Sequence, residues 1–274
     1  MVHTVHTQNG THMSDPLFSV ADQVVVVSGG SRGIGRGLAA GFAERDARVI
    51  LLSRDEATLK DAAATISTGR HPVEYVVCDV AHREEIGQAI ETILSRSGRI
   101  DTLLNVAGVN RRKRLETVTP DDYNFVMDIN LHGAFWMAHG VGRQMLAQGR
   151  GAIVNIDSLN TFAPLVGVAP YAMSKAGLQM MTRSMALEWG DRGVRVNALA
   201  PGFILTDLTQ KLWSDPHMQA WGVANTPMRR LGVPQDLVGT ALFLASPASA
   251  FMTGQVLYVD GGFTAGIAWP IPLD

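Results

Sequence analysis

Residues 24–43 read Val24-Val25-Val26-Val27-Ser28-Gly29-Gly30-Ser31-Arg32-Gly33-Ile34-Gly35-Arg36-Gly37-Leu38-Ala39-Ala40-Gly41-Phe42-Ala43. An apolar β-branched run, Val24–Ser28, passes through a cluster of glycines into an amphipathic helical pattern. A chain that turns this sharply, and lets backbone approach a ligand closely, needs residues without Cβ and tolerant of positive φ. The helix opening near Gly33 aims its free N–H groups and positive dipole end back at the turn, which suits a phosphate. The spacing is G-x-x-x-G-x-G, from Gly29 through Gly33 to Gly35, and not the commoner G-x-G-x-x-G. The candidate pyrophosphate cradle is therefore Gly29, Ser31, Arg32, Gly33, Ile34 and Gly35; the alternative is a glycine-rich turn with no ligand.

The pattern repeats outward from this unit. Apolar runs at Arg48–Ser53, Val73–Cys78, Thr102–Asn105, Ala152–Asp157, Arg195–Ala198 and Gln255–Val259 alternate with helical stretches near 34–45, 55–66, 82–97, 120–148, 171–190 and 235–245. Short continuous apolar strands separated by helices imply an α/β fold, a Rossmann-type doubly wound parallel sheet of about seven strands with helices on both faces. Residues 14–274 read as one domain, since no linker, repeat or low-complexity block interrupts them. Segment 202–230 breaks the rhythm with Trp213, Pro216, Trp221 and Pro227. A segment of this kind after a strand's C-terminal end suits a substrate lid.

Bulk properties exclude several classes. Of 274 residues, 46% are apolar, which is ample for a core. A formal charge of -2 and 7% aromatics give no case for a nucleic-acid partner. No apolar run is long enough to span a bilayer. Cys78 is the lone cysteine and lies in an apolar run, so it reads as a small buried hydrophobe in a reducing, cytoplasmic setting. Residues 1–13 are polar and lack the apolar core of a signal peptide, so they read as a disordered extension or cloning remnant. His3, His6 and His12 fall there, and no metal site is read from them.

A nucleotide bound at the glycine turn has its adenosine ribose at the end of the second strand. An acidic residue there selects NAD by its 2′-OH; basic residues accommodate the 2′-phosphate of NADP. Ser53-Arg54 occupy that place, and Arg32 stands in the glycine loop. Two guanidinium groups suit a phosphate dianion, so NADP(H) is expected over NAD(H), which stays possible. Asp55, one residue on, would reverse the choice if the register shifted.

Tyr171-Ala172-Met173-Ser174-Lys175 opens a helix just after Pro170. Residues i and i+4 share a face, so the Tyr171 hydroxyl and Lys175 ammonium can look into one cleft. A nearby ammonium favours the phenolate and lowers its pKa, making tyrosine a usable acid/base. Ser158, thirteen residues upstream at a strand end, can donate to an oxygen that gains charge. Asn130 sits in the helical run Met127-Asp128-Ile129-Asn130-Leu131, where a polar amide is unfavourable without a task.

Together these motifs resemble the short-chain dehydrogenase/reductase family over roughly residues 17–263. The glycine turn matches, with Ser28 for the usual Thr. Asp79 matches the family's adenine-contacting Asp, with Val80 beside it. Asn105-Val106-Ala107-Gly108 matches the N-N-A-G turn, with Val106 for the second Asn. Asn130, Ser158, Tyr171 and Lys175 match the catalytic tetrad. Pro201, Gly202, Ile204 and Thr206 fall in the stretch that closes over the nicotinamide. The resemblance implies that Tyr171 moves the proton, Lys175 tunes it and holds the nicotinamide ribose, Ser158 polarises the carbonyl and Asn130 anchors a relay water. Asp157 departs from the pattern, which has a small residue there. Alternation along a strand puts Asp157 opposite Ser158, so it reads as structural.

Four consecutive cations, Arg111–Arg114, follow Gly108 at the mouth of the expected cleft. They are either a solvated loop or, through Arg111 or Arg112, a clamp for a substrate carboxylate. Ser158 and Asn160 are further candidates for substrate contact. Val109-Asn110-Arg111-Arg112 and Thr226–Gly232 are similar to gluconate 5-dehydrogenases and related sugar-acid or polyol dehydrogenases. Two alternatives stay open: a 3-oxoacyl-thioester reductase, and a cofactor-binding regulatory protein with idle chemistry. The family resemblance implies a homodimer or homotetramer, and the apolar tail Ala268–Leu273 suits a subunit contact.

Overall fold

The computed structural model of the chain describes residues 15–66, 70–266 and 271. The expectations for residues 1–13 and for most of the C-terminal tail fall outside that range. Seven parallel strands form one sheet: β1 (Val24–Ser28), β2 (Arg48–Ser53), β3 (Glu74–Val77), β4 (Thr102–Asn105), β5 (Gly151–Ile156), β6 (Val194–Pro201) and β7 (Val256–Val259). Their order is β3-β2-β1-β4-β5-β6-β7. The order reverses between β1 and β4, so their C-terminal ends part into a crevice.

Strand alternation explains why both faces are dry. Val24 and Val26 of β1 join one core with Ile50, Leu103 and Ile153. On that face pack α3 (Arg83–Ser97), α4 (Pro120–Met127), α5 (Ala134–Gln148) and α6 (Ala169–Trp189), through Ile90, Met137, Leu178 and Trp189 among others. Val25 and Val27 join the opposite core with Leu51, Leu104 and Leu199. There α1 (Gly33–Ala43), α2 (Glu56–Ile66) and α9 (Gln235–Ala245) contribute Leu38, Phe42, Leu59 and Leu237. A four-valine strand with no polar break is thus what a strand covered twice requires.

The single helix expected over 120–148 is three pieces, with a π-helical turn at Asp128–Gly133 between α4 and α5. Asn130 sits in that turn at 0% exposure, so its amide must be bonded from within the protein. Segment 202–230 forms α7 (Asp207–Trp213) and α8 (Pro216–Asn225). Trp213 and Phe203 pack there with Leu159 and Leu231 in a small separate core, and their rings lie 5.2 Å apart edge to face. Among the described residues no helix is long and apolar enough to cross a membrane.

Candidate active site

A cleft of about 580 Å³ opens at the crevice between β1 and β4, within the size range of cofactor sites. Gly29 takes φ +68° directly after β1, and a Cβ there would meet Ala107 Cα at 2.8 Å. Gly35 is tighter still: its Cβ would lie 2.2 Å from the Gly29 carbonyl oxygen. Helix α1 therefore starts hard against the turn. Its N-cap, Arg32, offers no side-chain bond to the first turn, so the cap leaves those amides to a ligand or solvent. The residues present thus fit a dinucleotide pyrophosphate.

The cleft is bordered by Gly29, Ser31, Arg32, Gly33, Ile34 and Gly35 on the turn, by Ser53, Arg54, Asp79 and Val80, and by Ala107 and Gly108. From the other side come Ser158, Tyr171, Lys175, Pro201, Gly202, Ile204 and Thr206. Asn105 does not border it. Its amide lies beneath the turn, donating to the Ala134 carbonyl at 2.9 Å, while the Ser28 hydroxyl donates to its oxygen at 3.1 Å. Ser28 Oγ in turn accepts from the Val106 amide at 3.0 Å, which ties β1 and β4 together below the crevice. Asp55 is also outside the cleft. Its carboxylate accepts from the Thr58 amide at 2.8 Å in the first turn of α2, while Ser53 and Arg54 border the cleft. That bond, with Arg32 and Arg54 nearby, keeps the Asp55 carboxyl below its ordinary range.

Ser158, just past β5, and Tyr171 and Lys175 of α6 border the same cleft. Lys175 is 3% exposed, and its Nζ donates to the Ile156 carbonyl at 2.6 Å. Nζ stands 5.7 Å from the centre of the Tyr171 ring. Ser158 Oγ accepts two bonds from Asn160, from the amide N at 3.2 Å and Nδ2 at 3.1 Å. A hydroxyl with both lone pairs engaged has its single proton left to give, and Ser158 and Tyr171 border the same cleft. Asn160 is therefore folded back on Ser158 and, through Oδ1, on the Leu165 amide at 2.9 Å; it does not border the cleft.

Asn130 answers the question its buried position raises. Its Oδ1 accepts from the Val109 amide at 2.8 Å, and Nδ2 donates to the Val109 carbonyl at 2.9 Å and Ser174 Oγ at 3.2 Å. A Cβ on Gly108 would meet both Asn130 Oδ1 and Lys175 Nζ, at 3.5 and 3.8 Å, so all three groups share one wall.

The electrostatics differ from the expectation in one respect. Burial pushes the Tyr171 phenol above its ordinary value and Asp157 adds to this, while the neighbouring Ser158 hydroxyl and the Arg112 charge pull the other way. Lys175 does not lead the balance, because its ammonium is turned to Ile156. Burial lowers Lys175 to about 8, and Asp157 opposes that fall. Burial also pushes the Cys78 thiol up to about 12, in keeping with an inert core cysteine.

Asp157 is the residue that sequence reasoning set aside. It borders the cleft together with Ser158, because β5 ends at Ile156 and the cleft wraps around the strand's open end. No periodicity could have shown this; the acid in place of a small residue was the only signal. The basic loop also sorts itself. Arg111 ion-pairs Asp122 at 3.1 Å and lies 4.0 Å from the Phe125 ring centre, and Lys113 binds the same carboxylate. The Lys113 bond above all, then those from Thr119 and Arg111, hold Asp122 far below the usual carboxylate range. Arg111 is thus engaged away from the cleft. Arg112 does not border the cleft either; among the described residues it has no ion-pair partner, and its charge acts on the Tyr171 phenol.

With this geometry in view, a family described as enoyl-(acyl carrier protein) reductase matches residues 29–264. The chain belongs to the short-chain dehydrogenase/reductase family. The gluconate 5-dehydrogenase of Gluconobacter oxydans (strain 621H) is 38% identical over 93% of the chain and 100% of that protein. The 3-oxoacyl-[acyl-carrier-protein] reductase of Synechocystis sp. is 40% identical over 90% of the chain and 98% of that protein. A gluconate 5-dehydrogenase from Burkholderia cenocepacia J2315, solved with NADP and tartrate, superposes with a TM-score of 0.89 at 37% identity, covering 92% of this chain and 99% of that one. As a short-chain dehydrogenase/reductase the chain is an NAD(P)-dependent oxidoreductase acting on alcohol and ketone groups.

Proposed function

We propose that this enzyme moves a hydride between NADP(H) and a secondary alcohol/ketone pair on a sugar acid or polyol, in the manner of a gluconate 5-dehydrogenase. One observation carries this: Ser158, Tyr171 and Lys175 border the cleft beside the glycine turn, and Arg112, without an ion-pair partner among the described residues, lies within electrostatic reach of Tyr171. When bound, the dinucleotide supplies or accepts hydride at its nicotinamide ring. The protein's residues do the rest. Tyr171 gives its phenolic proton to the carbonyl oxygen in reduction and takes one from the hydroxyl in oxidation. Ser158, its lone pairs held by Asn160, donates to that same oxygen as charge develops. Lys175 holds the nicotinamide ribose and the local positive charge. Asn130 fixes the wall between Val109 and Lys175, where a relay water passes protons outward. Segment 202–230 closes over the reactants.

NADP preference rests on Ser53, Arg54 and Arg32 bordering the cleft while Asp55 is tied to α2. Arg54→Ala is expected to cut kcat/KM with NADPH by about ten- to a hundredfold, the worth of a charge-assisted bond, and to leave NADH use nearly unchanged. Parallel kinetics with both cofactors check this; equal losses for the two would contradict it.

A carboxylate-bearing substrate rests on Arg112. Arg112→Ala is expected to raise KM for gluconate about tenfold or more, again the scale of one charge-assisted bond, with little change for a neutral polyol. Arg111→Ala is expected to act on stability through Asp122 instead. A panel of gluconate, polyols and acetoacetyl thioesters tests the substrate class. Fastest turnover of the thioester would favour the second reading, a 3-oxoacyl-thioester reductase, which the Synechocystis relative supports. Exposed Phe135, Met180 and Leu187 on α5 and α6 support assembly into dimers or tetramers, and the buried Cys78 suits a reducing cytoplasm.

A further inference from the structure

Asp157 is a carboxylate that the chemistry above does not use. It is 1% exposed, and an ionised group is costly to bury without a task or a partner. One of its oxygens, Oδ2, accepts from Thr161 Oγ1 at 3.0 Å, and Thr161 Oγ1 meets the Tyr258 hydroxyl at 3.1 Å. The other, Oδ1, is buried with no hydrogen-bond partner. The residue immediately before it, Ile156, carries the carbonyl that anchors Lys175 Nζ. The charged and titratable groups around this carboxylate come from three parts of the fold. From α6 come Lys175 and Tyr171, and from β7 comes Tyr258 behind Thr161. Arg112 faces Tyr171 from the loop after β4.

We propose that Asp157 is a positioning residue that sets the working pH range of this site: its buried, half-partnered carboxylate keeps the Lys175 ammonium charged and opposes ionisation of Tyr171. This rests on the acid/base reading of Tyr171 given above. The signs are fixed by charge. A carboxylate near an ammonium favours the protonated form, and near a phenol disfavours the phenolate. Burial lifts Asp157 to about 6, Lys175 and the Thr161 bond working against that rise. The carboxyl is therefore mostly ionised at and above neutral pH, where dehydrogenation needs Tyr171 as a base.

Removing the charge moves both partners in one direction. Without Asp157 the Tyr171 phenol ionises at lower pH and Lys175 loses its proton at lower pH. For alcohol oxidation the acid limb of kcat against pH moves down, because the base forms earlier. For ketone reduction the alkaline limb also moves down, because the proton donor is lost earlier. The whole profile slides toward acid.

The test uses Asp157→Asn, with Asp157→Ser and Asp157→Glu beside it. Full pH profiles are recorded in both directions on variants with native-like melting. Ultraviolet titration of tyrosinate in the cofactor-free protein supplies a readout that needs no turnover, Tyr171 being assigned by subtraction of Tyr171→Phe. Asn and Ser are expected to shift both limbs and the Tyr171 titration downward by about half to one pH unit, the scale of a single neighbouring charge, while Glu keeps the native positions. Profiles and titration that stay in place, or that move upward, overturn the proposal even if activity falls, since lost packing lowers rate without moving pH dependence. Should Asn not fold, the Ser variant decides by the same criteria. If Tyr171→Phe itself turns over at native rate, the acid/base reading fails first; if it is inactive and the Asn profile is unmoved, only the role of Asp157 fails.

Discussion

Tyr171→Phe is expected to lower kcat by about 10²–10⁴-fold, the usual worth of a positioned acid/base, while cofactor affinity stays close to native. The substitution removes one oxygen and keeps the ring, so the packing of α6 against the cleft survives. Lys175 keeps its bond to the Ile156 carbonyl, because that contact does not pass through the phenol. Ser158 keeps both bonds from Asn160, so the hydroxyl is not displaced. What disappears is the group that can give or take the proton at the reacting oxygen. Steady-state rates and fluorescence titration of the cofactor, each compared with the melting temperature, separate these effects. A variant that retains a tenth or more of native kcat, on the same scale of proton-transfer effects, would remove Tyr171 from the chemistry.

Gly35→Ala is expected to abolish useful cofactor binding, raising Kd by about a hundredfold or more, the scale of an ångström-sized misplacement. The added methyl would lie 2.2 Å from the Gly29 oxygen and 2.8 Å from the Gly29 carbon. The turn cannot simply retreat, because Gly29 is itself backed by Ala107. Either the turn opens, displacing the amides proposed to face the pyrophosphate, or α1 slides away from β1. Both deform the cradle. Gly87→Ala in α3 is the matched control, since nothing lies within 4 Å of the added methyl. That change is expected to stabilise the helix by about 0.5–1 kcal/mol and leave cofactor affinity alone. Native affinity in Gly35→Ala would mean that the turn does not seat the dinucleotide.

Much of the fold was legible because burial on both faces leaves a plain mark. β1, β2 and β4 begin and end where their apolar runs do. The misses have physical causes. β3 is an edge strand, paired only to β2, and is shorter than its run of apolar residues. β6 runs on to Pro201, past the expected Ala198, because β7 pairs with it from Ala198 to Pro201. The π-helical turn at Asp128–Gly133 interrupts the helical period expected over 120–148, and in it Asn130 bonds Val109 across the fold.

The site was readable where chemistry needs particular residue types at fixed spacing, as in the glycine turn and Tyr171 with Lys175. It was unreadable where tertiary pairing decides. Arg111 and Arg112 are adjacent and alike; only the fold shows that Asp122 and Phe125 engage the first and not the second. Asp55 and Arg54 posed the same problem; only the fold shows that Asp55 is bonded to the Thr58 amide while Arg54 borders the cleft. The depth of Asp157 followed from where β5 stops, which its own alternation could not tell.

The most direct measurement is a crystal structure of the enzyme with NADP and gluconate bound together. It is expected to show the nicotinamide ring over Pro201 and Gly202, and one secondary hydroxyl of the sugar acid within about 2.6–3.2 Å of both Tyr171 Oη and Ser158 Oγ, with the carboxylate turned toward Arg112. A dinucleotide seated away from the glycine turn, or a sugar acid held with no hydroxyl near Tyr171, would contradict the assignment.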